Sequence, residues 1–376
     1  MRMRRAAGAA LGMLLVAAGC ASPRHDVGVL ASDALGGRDN GTPGSALAQD
    51  YLTHRLRGIT RDVRKVPIAG GTNLIGVIPG RDLADEVVVV GAHYDHLGSR
   101  CRTADPADTI CNGATDNATG VAAALAVGED LARGRGPRRT VVIGLWDREE
   151  DGLLGSAAYV AHPSLPLDRT VAYVNFDIQG ANVAPSLRST TFALAAETGG
   201  EGLQAAVTRA AAGGPLHTEQ LSTIFGQGRS DHVNFLGAGV PSVFFSDSTG
   251  PCYHTAQDEA GIVDQHKLGA EIRTARRLSR DLANRDQVPG FVAGTPLVDY
   301  QDAVVLDRVG DRLLADLGRF TPAQQTTLLA FRTDIKAIVA AGPAAFTPDA
   351  GTRLLVGVLG VQDLLTQGAC DGFLGH

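Results

Sequence analysis

Two candidate histidine ligands and five candidate carboxylates lie in five short motifs placed where strands should end, and the chemistry such a set supports is metal-assisted hydrolysis. The first motif is Gly91-Ala92-His93-Tyr94-Asp95-His96-Leu97-Gly98. His93 offers an imidazole to a metal, and Asp95 is spaced to accept the other ring N–H and fix the tautomer. A single histidine at a strand end is equally an ordinary packed residue. The second motif, Asn112 to Gly120, places Asp116 just before a helix. That aspartate serves either as a helix cap or as a bridge between two ions, one carboxylate oxygen to each. In the third, Leu145 to Ser156, Glu149 and Glu150 are neighbours that point different ways. One can hold a cation while the other takes a proton from water; the competing reading is a solvated acidic turn. The fourth, Asn175 to Gly180, ends an apolar run on Asp177, whose buried carboxylate needs a metal or an ion-pair partner. The fifth, Pro251 to Asp258, carries Tyr253 and His254. His254 is the second candidate imidazole, and the Tyr253 hydroxyl either donates to a developing oxyanion or simply packs. Imidazoles with carboxylates and no thiolate suit zinc before manganese or cobalt, and two such ions stand about 3.5–4 Å apart.

These motifs need strand ends to hold them. The run Glu86 to Ala92 is apolar on both faces, as in a strand covered by helices on each side. Further strands are expected at Asn73–Ile78, Thr140–Trp146, Thr170–Phe176 and Pro241–Phe245, with helices at Gly120–Arg133, Glu201–Ala212 and Val263–Asn284. Leu30 to Arg57 reads as helix, turn, helix. Strands alternating with helices imply an α/β fold with a mostly parallel central sheet, whose ligands collect at the carboxyl ends of the strands. Beyond Val288 the pattern becomes helical. Asp299–Leu317 is amphipathic, Thr321-Pro322-Ala323-Gln324 is a capping box, Gly342-Pro343 stops that helix, and Thr347-Pro348 starts another running to Thr366. The tail contributes none of the motif residues.

The chain has 376 residues, 44% hydrophobic and 20% charged, which suits a globular domain with an appendage and excludes a disordered chain. A formal charge of −6 speaks against a nucleic-acid partner. Arg2, Arg4 and Arg5 precede an apolar run, Ala6 to Gly19, that is too short to span a bilayer and ends in Ala17-Ala18-Gly19-Cys20. This resembles a bacterial lipobox with Cys20 as the acylated first residue; a plain secretory signal is the alternative. The expected organisation is a signal peptide over 1–19, a tether over 20–29, a catalytic domain over 30–288 and a helical extension over 289–376. The expected location is the periplasmic or cell-surface side of a bacterial membrane. Four cysteines remain after Cys20, an even count that fits disulfides in an exported chain. Cys101 and Cys111 form the natural local pair, which leaves Cys252 with Cys370 by elimination only.

At these residues the chain resembles the di-zinc aminopeptidase family of metallopeptidases, which also contains glutamate carboxypeptidases and glutaminyl cyclases. All five motifs occur in family order, and the resemblance runs from about Leu30 to Asn284, including Leu30 to Arg38 and Gly228 to His232. It implies a three-layer sandwich of the phosphorylase/hydrolase-like zinc-exopeptidase kind. It also implies one zinc on His93, Asp116 and Asp177 and a second on His254, Asp116 and Glu150, with Asp116 shared. Glu149 would be the general base, Asp95 would orient His93, Tyr253 would steady the tetrahedral intermediate, and Arg229 would reach the substrate. His96 and His232 receive no ligand role. The activity implied is removal of the first residue from peptides. The chain departs from the family in the excursion Ser99 to Cys111 and in the helical tail, and it has no room for the protease-associated insert of the larger carboxypeptidases. A one-zinc glutaminyl cyclase and a non-catalytic surface scaffold are the rival expectations.

Overall fold

The computed structural model describes residues 22–370. The expected signal peptide and Cys20 lie outside the described residues. In chain order the elements are α1 (Pro23–Leu30), α2 (Pro43–Arg57), β1 (Asp62–Ile68), β2 (Gly71–Ile78), β3 (Leu83–His93), α3 (Thr119–Leu131), β4 (Arg139–Trp146), α4 (Leu154–Ala161), β5 (Thr170–Phe176), β6 (Thr190–Leu194), α5 (Gly200–Ala211), β7 (His217–Leu221), α6 (His232–Gly237), β8 (Ser242–Ser246), α7 (Gln265–Asn284), α8 (Tyr300–Leu313), α9 (Pro322–Ala341) and α10 (Pro348–Thr366). No helix among the described residues is long and apolar enough to cross a membrane.

The eight strands form one sheet in the order β1-β2-β4-β3-β5-β8-β6-β7. Its centre, β4-β3-β5-β8, is parallel, whereas the β1–β2, β2–β4 and β8–β6 pairs are antiparallel. The sheet is therefore mixed, with a parallel heart. The β1–β2 connection is the reason on one side: Ala69-Gly70, with Gly70 at φ +73°, is a two-residue turn, which joins only antiparallel strands.

Residues alternate across the sheet and so build two cores. Val88 and Val90 face a cluster with Val121 and Leu125 of α3, Leu52 of α2 and Leu278 of α7. Val87 and Val89 face Trp146, Tyr159 of α4 and Phe235 of α6. Both faces of β3 are covered, which is why its run is apolar throughout, and each fully buried valine contributes about 1.5–3 kcal/mol. This is the three-layer sandwich.

The segment expected as a tether is instead largely helix α1. Ser22 accepts the His25 N–H at its start and Pro23 occupies the first turn. Val27 and Leu30 enter the core, and the Asp26 carboxylate takes Arg55 through two bonds of 2.6 and 2.9 Å. Strands β1, β6 and β7 also escaped the sequence pattern. They are short or lie at the sheet's margins, and their polar residues and Pro67 weaken the alternation.

The tail helices start where the capping residues place them, with a reciprocal box between Thr321 and Gln324 and Thr347 capping α10. They share an apolar core with the sheet, in which Leu194, Leu221 and Phe244 meet Leu306, Ile335 and Leu354. At this junction Asp302 accepts the Ser222 N–H and hydroxyl at 2.8 and 2.7 Å, and Glu197 accepts the Thr223 N–H at 2.7 Å. Burial raises the two carboxyls to about 6 and about 7 respectively. A carboxyl raised on folding favours the native state below its unfolded value, and that contribution is lost as pH climbs through the folded value. For Glu197 the window runs from 4.5 to about 7. Glu197→Gln should therefore gain on the natural chain by about 1–3 kcal/mol across that window in urea unfolding at stepped pH. Parallel curves would show that Glu197 is not the titrating group.

Candidate metal centre

All the motif residues converge at the carboxyl ends of β4, β3, β5 and β8, the four adjacent parallel strands. His93 ends β3, Glu149 and Glu150 follow β4, Asp177 follows β5, and Tyr253 and His254 lie on the loop after β8. Asp116 precedes α3, and the Asp116–Asn117 peptide is cis. The Asp258 carboxylate holds this turn, accepting from the Thr115 N–H at 2.9 Å, the Thr115 hydroxyl at 2.8 Å and the Asp116 N–H at 3.0 Å. Asn117 donates to the Phe176 carbonyl at 2.8 Å and accepts the Gly120 N–H at 3.0 Å. Arg38 braces the same turn from below, donating to the carbonyls of Leu30, Tyr94, Asn112 and Gly113.

The two oxygens of Asp116 face two different imidazoles. Oδ1 lies 3.3 Å from His93 Nε2, and Oδ2 lies 3.2 Å from His254 Nε2. His93 Nε2 is also 3.5 Å from Asp177 Oδ1, and His254 Nε2 is 3.2 Å from Glu150 Oε2. Tetrahedral zinc at about 2.0–2.1 Å from each donor sets its ligand atoms about 3.3 Å apart, so these spacings fit the ion. His93 Nε2, His96 Nε2, His254 Nε2 and Asp177 Oδ1 are buried without hydrogen-bond partners, as donor atoms aimed at a cation would be. The residues thus fit zinc in chemistry and in spacing.

His96, which received no ligand role, also reaches this place: its Nδ1 lies 2.6 Å from Glu150 Oε1, and His96, Asp116 and Glu150 form a second group able to hold an ion. We favour His254 as the donor. One His254 nitrogen stands between oxygens of two carboxylates, whereas the bond from His96 goes to one Glu150 oxygen and positions it. His93 Nδ1 meets the main-chain carbonyl of Asp95 at 3.2 Å; the Asp95 carboxylate stands 3.5 Å from the same nitrogen and accepts the N–H groups of Glu149 and Glu150 at 3.1 and 3.3 Å, so the residue fixes the imidazole through its backbone and the β4 turn through its side chain.

Charge is concentrated here. Burial raises Glu149 well above the ordinary range; His93 opposes this, and Asp177, Asp231 and Glu150 add to it. Burial would raise Asp116, but the imidazoles of His254 and His93, 3.2 and 3.3 Å from its oxygens, hold it well below the ordinary range. His254 is pushed up to about 10, Asp116 and Glu150 outweighing the opposite pull of burial. Burial also raises the Tyr253 phenol, which keeps it a neutral donor, and its ring stacks on His254 at 3.8 Å. Arg229 is exposed and lines the same cleft as Glu149 and Tyr253. His232 stands apart, stacked on Phe244 at 4.5 Å, with its ring lowered to about 3 by burial.

Asp258, Arg38 and Asp231 took no part in the sequence reading of the site, although each lies in a segment singled out there. Asp231 is fully buried and raised to about 7 by that burial. Sequence spacing offered no sign that these three face the centre. Both disulfides, Cys101–Cys111 and Cys252–Cys370, are formed. The second ties the end of the tail to the residue next to Tyr253.

The profile described as peptidase family M28 matches residues 73–279, more than half of the chain. A probable glutamate carboxypeptidase of Arabidopsis thaliana is 32% identical over 205 residues, 51% of this chain and 28% of the relative. Leupeptin-inactivating enzyme 1 of Streptomyces exfoliatus is 29% identical over 226 residues, 56% of this chain and 45% of the relative. The chain thus spans less than half the length of either of these curated relatives. A solved Zn-dependent exopeptidase from Parabacteroides distasonis shares the fold, with a TM-score of 0.57 at 19% identity over 70% of this chain and 96% of that one.

Proposed function

Because the chain belongs to peptidase family M28, we propose that it is a zinc-dependent aminopeptidase with two ions, one on His93, Asp116 and Asp177 and the other on His254, Asp116 and Glu150. The observation that carries this reading is the Asp116 carboxylate, with one oxygen turned to each imidazole. Zinc bound there would polarise the scissile carbonyl and acidify the attacking water. Glu149, lifted in pKa by its burial and lining the cleft, takes the proton of that water and returns it to the leaving amine. Tyr253 donates its phenolic hydrogen to the oxyanion. Asp95, accepting the His93 Nδ1–H with its main-chain carbonyl and keeping its carboxylate beside the ring, holds His93 in the tautomer that presents Nε2 to the centre. Arg229 donates to a carbonyl of the substrate from the cleft wall. The crowding of carboxylates favours a free α-ammonium over a substrate carboxylate, which is the reason to prefer an aminopeptidase.

We also propose that the protein is exported and anchored through acylated Cys20 on the outer side of a bacterial membrane. Its two disulfides support an oxidising location. Its partners would be peptides and the membrane, with no nucleic acid.

Amino-acid p-nitroanilides, their N-acetylated forms and peptides with N-terminal glutamine, assayed beside a zinc count per chain, test the reading. Two zinc ions with turnover of the free-amine anilides alone is the expected result. One zinc with release of ammonia from the glutamine peptides would make the protein a cyclase instead.

A further inference from the structure

Asp116, Glu149, Asp177 and Tyr253 line, together with mostly apolar residues, one continuous cavity of about 170 Å³. Its far wall is built by the tail, which lies outside the matched span 73–279. From α8 come Leu306, Val309 and Leu313; α9 supplies Leu328 and Ile335; α10 supplies Val361 among others. The opposite wall is sheet and loop, with Phe192, Leu221, Phe225 and Phe244. Arg332, the charge on the tail's side, is neutralised by Asp307 and Asp311. The roof is fastened at the reacting end. Gln362 of α10 donates to Thr249 Oγ1 at 2.6 Å and Ser248 Oγ at 3.2 Å, and Cys370 is bonded to Cys252.

Two dimensions suggest the occupant. A water needs about 10–15 Å³ by the same measure, so the cavity has room for about a dozen non-hydrogen atoms. The lining residues Leu306 to Leu313 on α8 and Leu328 to Ile335 on α9 each cover seven residue steps, or about 10 Å at 1.5 Å per residue. Lining residues border the space over that length, most of them are apolar, and Glu149 and Tyr253 of the reacting centre line it too. Resting on the aminopeptidase reading above, we propose that the tail makes this protein selective for peptides whose first residue bears a long unbranched apolar chain of about eight carbons. The chain lies along the groove between the sheet and α8–α10, and the rest of the peptide leaves on the open side of the metal centre.

A series of p-nitroanilides with alanine, norleucine, 2-aminooctanoic, 2-aminodecanoic and 2-aminododecanoic acid as the first residue tests this. kcat/KM should rise roughly three- to fourfold per methylene and level off near the decanoic member. Val309→Phe and Val361→Phe, at two half-buried positions of the wall, should each shorten the optimum while leaving the alanine anilide unchanged. Calorimetric titration with 1-decanol against 1-butanol reads the cavity without any turnover, and decanol alone should bind. If no anilide is cut but decanol binds, the peptidase reading fails and the cavity stands. Turnover of the alanine anilide with a flat profile beyond norleucine, a phenylalanine anilide preferred over the decanoic one, or no decanol binding would each overturn the proposal.

Discussion

Glu149→Gln is expected to bind zinc as the natural chain does and to turn over substrate roughly 10²–10⁴-fold more slowly, the usual contribution of a general acid–base group. Glutamine keeps the shape of the side chain but accepts no proton. The metal should stay because Glu149 is the least tightly engaged of the carboxylates: it stands 3.9 Å from His93 Nε2, whereas Asp116 and Asp177 stand at 3.3 and 3.5 Å. Its backbone N–H bond to Asp95 survives the change, so the β4 turn and Glu150 keep their places. Metal content by elemental analysis and kcat on a leucine anilide are the two measurements. Retained activity would remove Glu149 from the proton path, and joint loss of zinc and activity would make it a ligand instead.

Asp116→Ala should have the largest effect of any single change, taking both ions and all measurable turnover with it. Every other donor in the proposed set serves one ion, whereas this carboxylate faces both imidazoles. Without it, His93 and Asp177 remain on one side and His254 and Glu150 on the other, two donors each, short of the three that a catalytic zinc site takes from protein. Folding itself should survive, because Asp258 still accepts the Thr115 N–H and hydroxyl and the backbone N–H of residue 116. Binding that favours the native state raises its stability by about 4 kcal/mol when zinc exceeds its dissociation constant a thousandfold. The natural chain and Glu149→Gln should therefore melt higher with added zinc, and Asp116→Ala should not. One zinc retained in Asp116→Ala would refute the shared role.

The convergence of four of the five motifs was legible because it obeys a rule of α/β sheets: each of these follows an apolar run, and the ends of adjacent parallel strands share one edge; the Asp116 motif instead leads into α3. His93, Asp177 and Glu150 fall on that edge by their sequence positions alone. The helices of the tail were legible from their capping residues, since Thr321, Gln324 and Thr347 act within a single turn. Helix α1 was hidden because it is short and only Val27 and Leu30 mark its apolar buried side. Strands β6 and β7 were hidden because half of what covers them is the distant tail, which leaves their own residues too mixed to alternate.

What the sequence determined by itself was the kind of chemistry, the strands that carry it and the local helix boundaries, because these depend on residue type and on spacings of a few positions. Tertiary structure alone decided three further matters. It turned Asp116 to face His93 and His254 at once, it set His96 against Glu150, and it laid α8–α10 along the cleft as a wall. Each depends on the direction of side chains brought together from segments far apart in the chain. That direction is set by packing between layers, and no local pattern of residues records it.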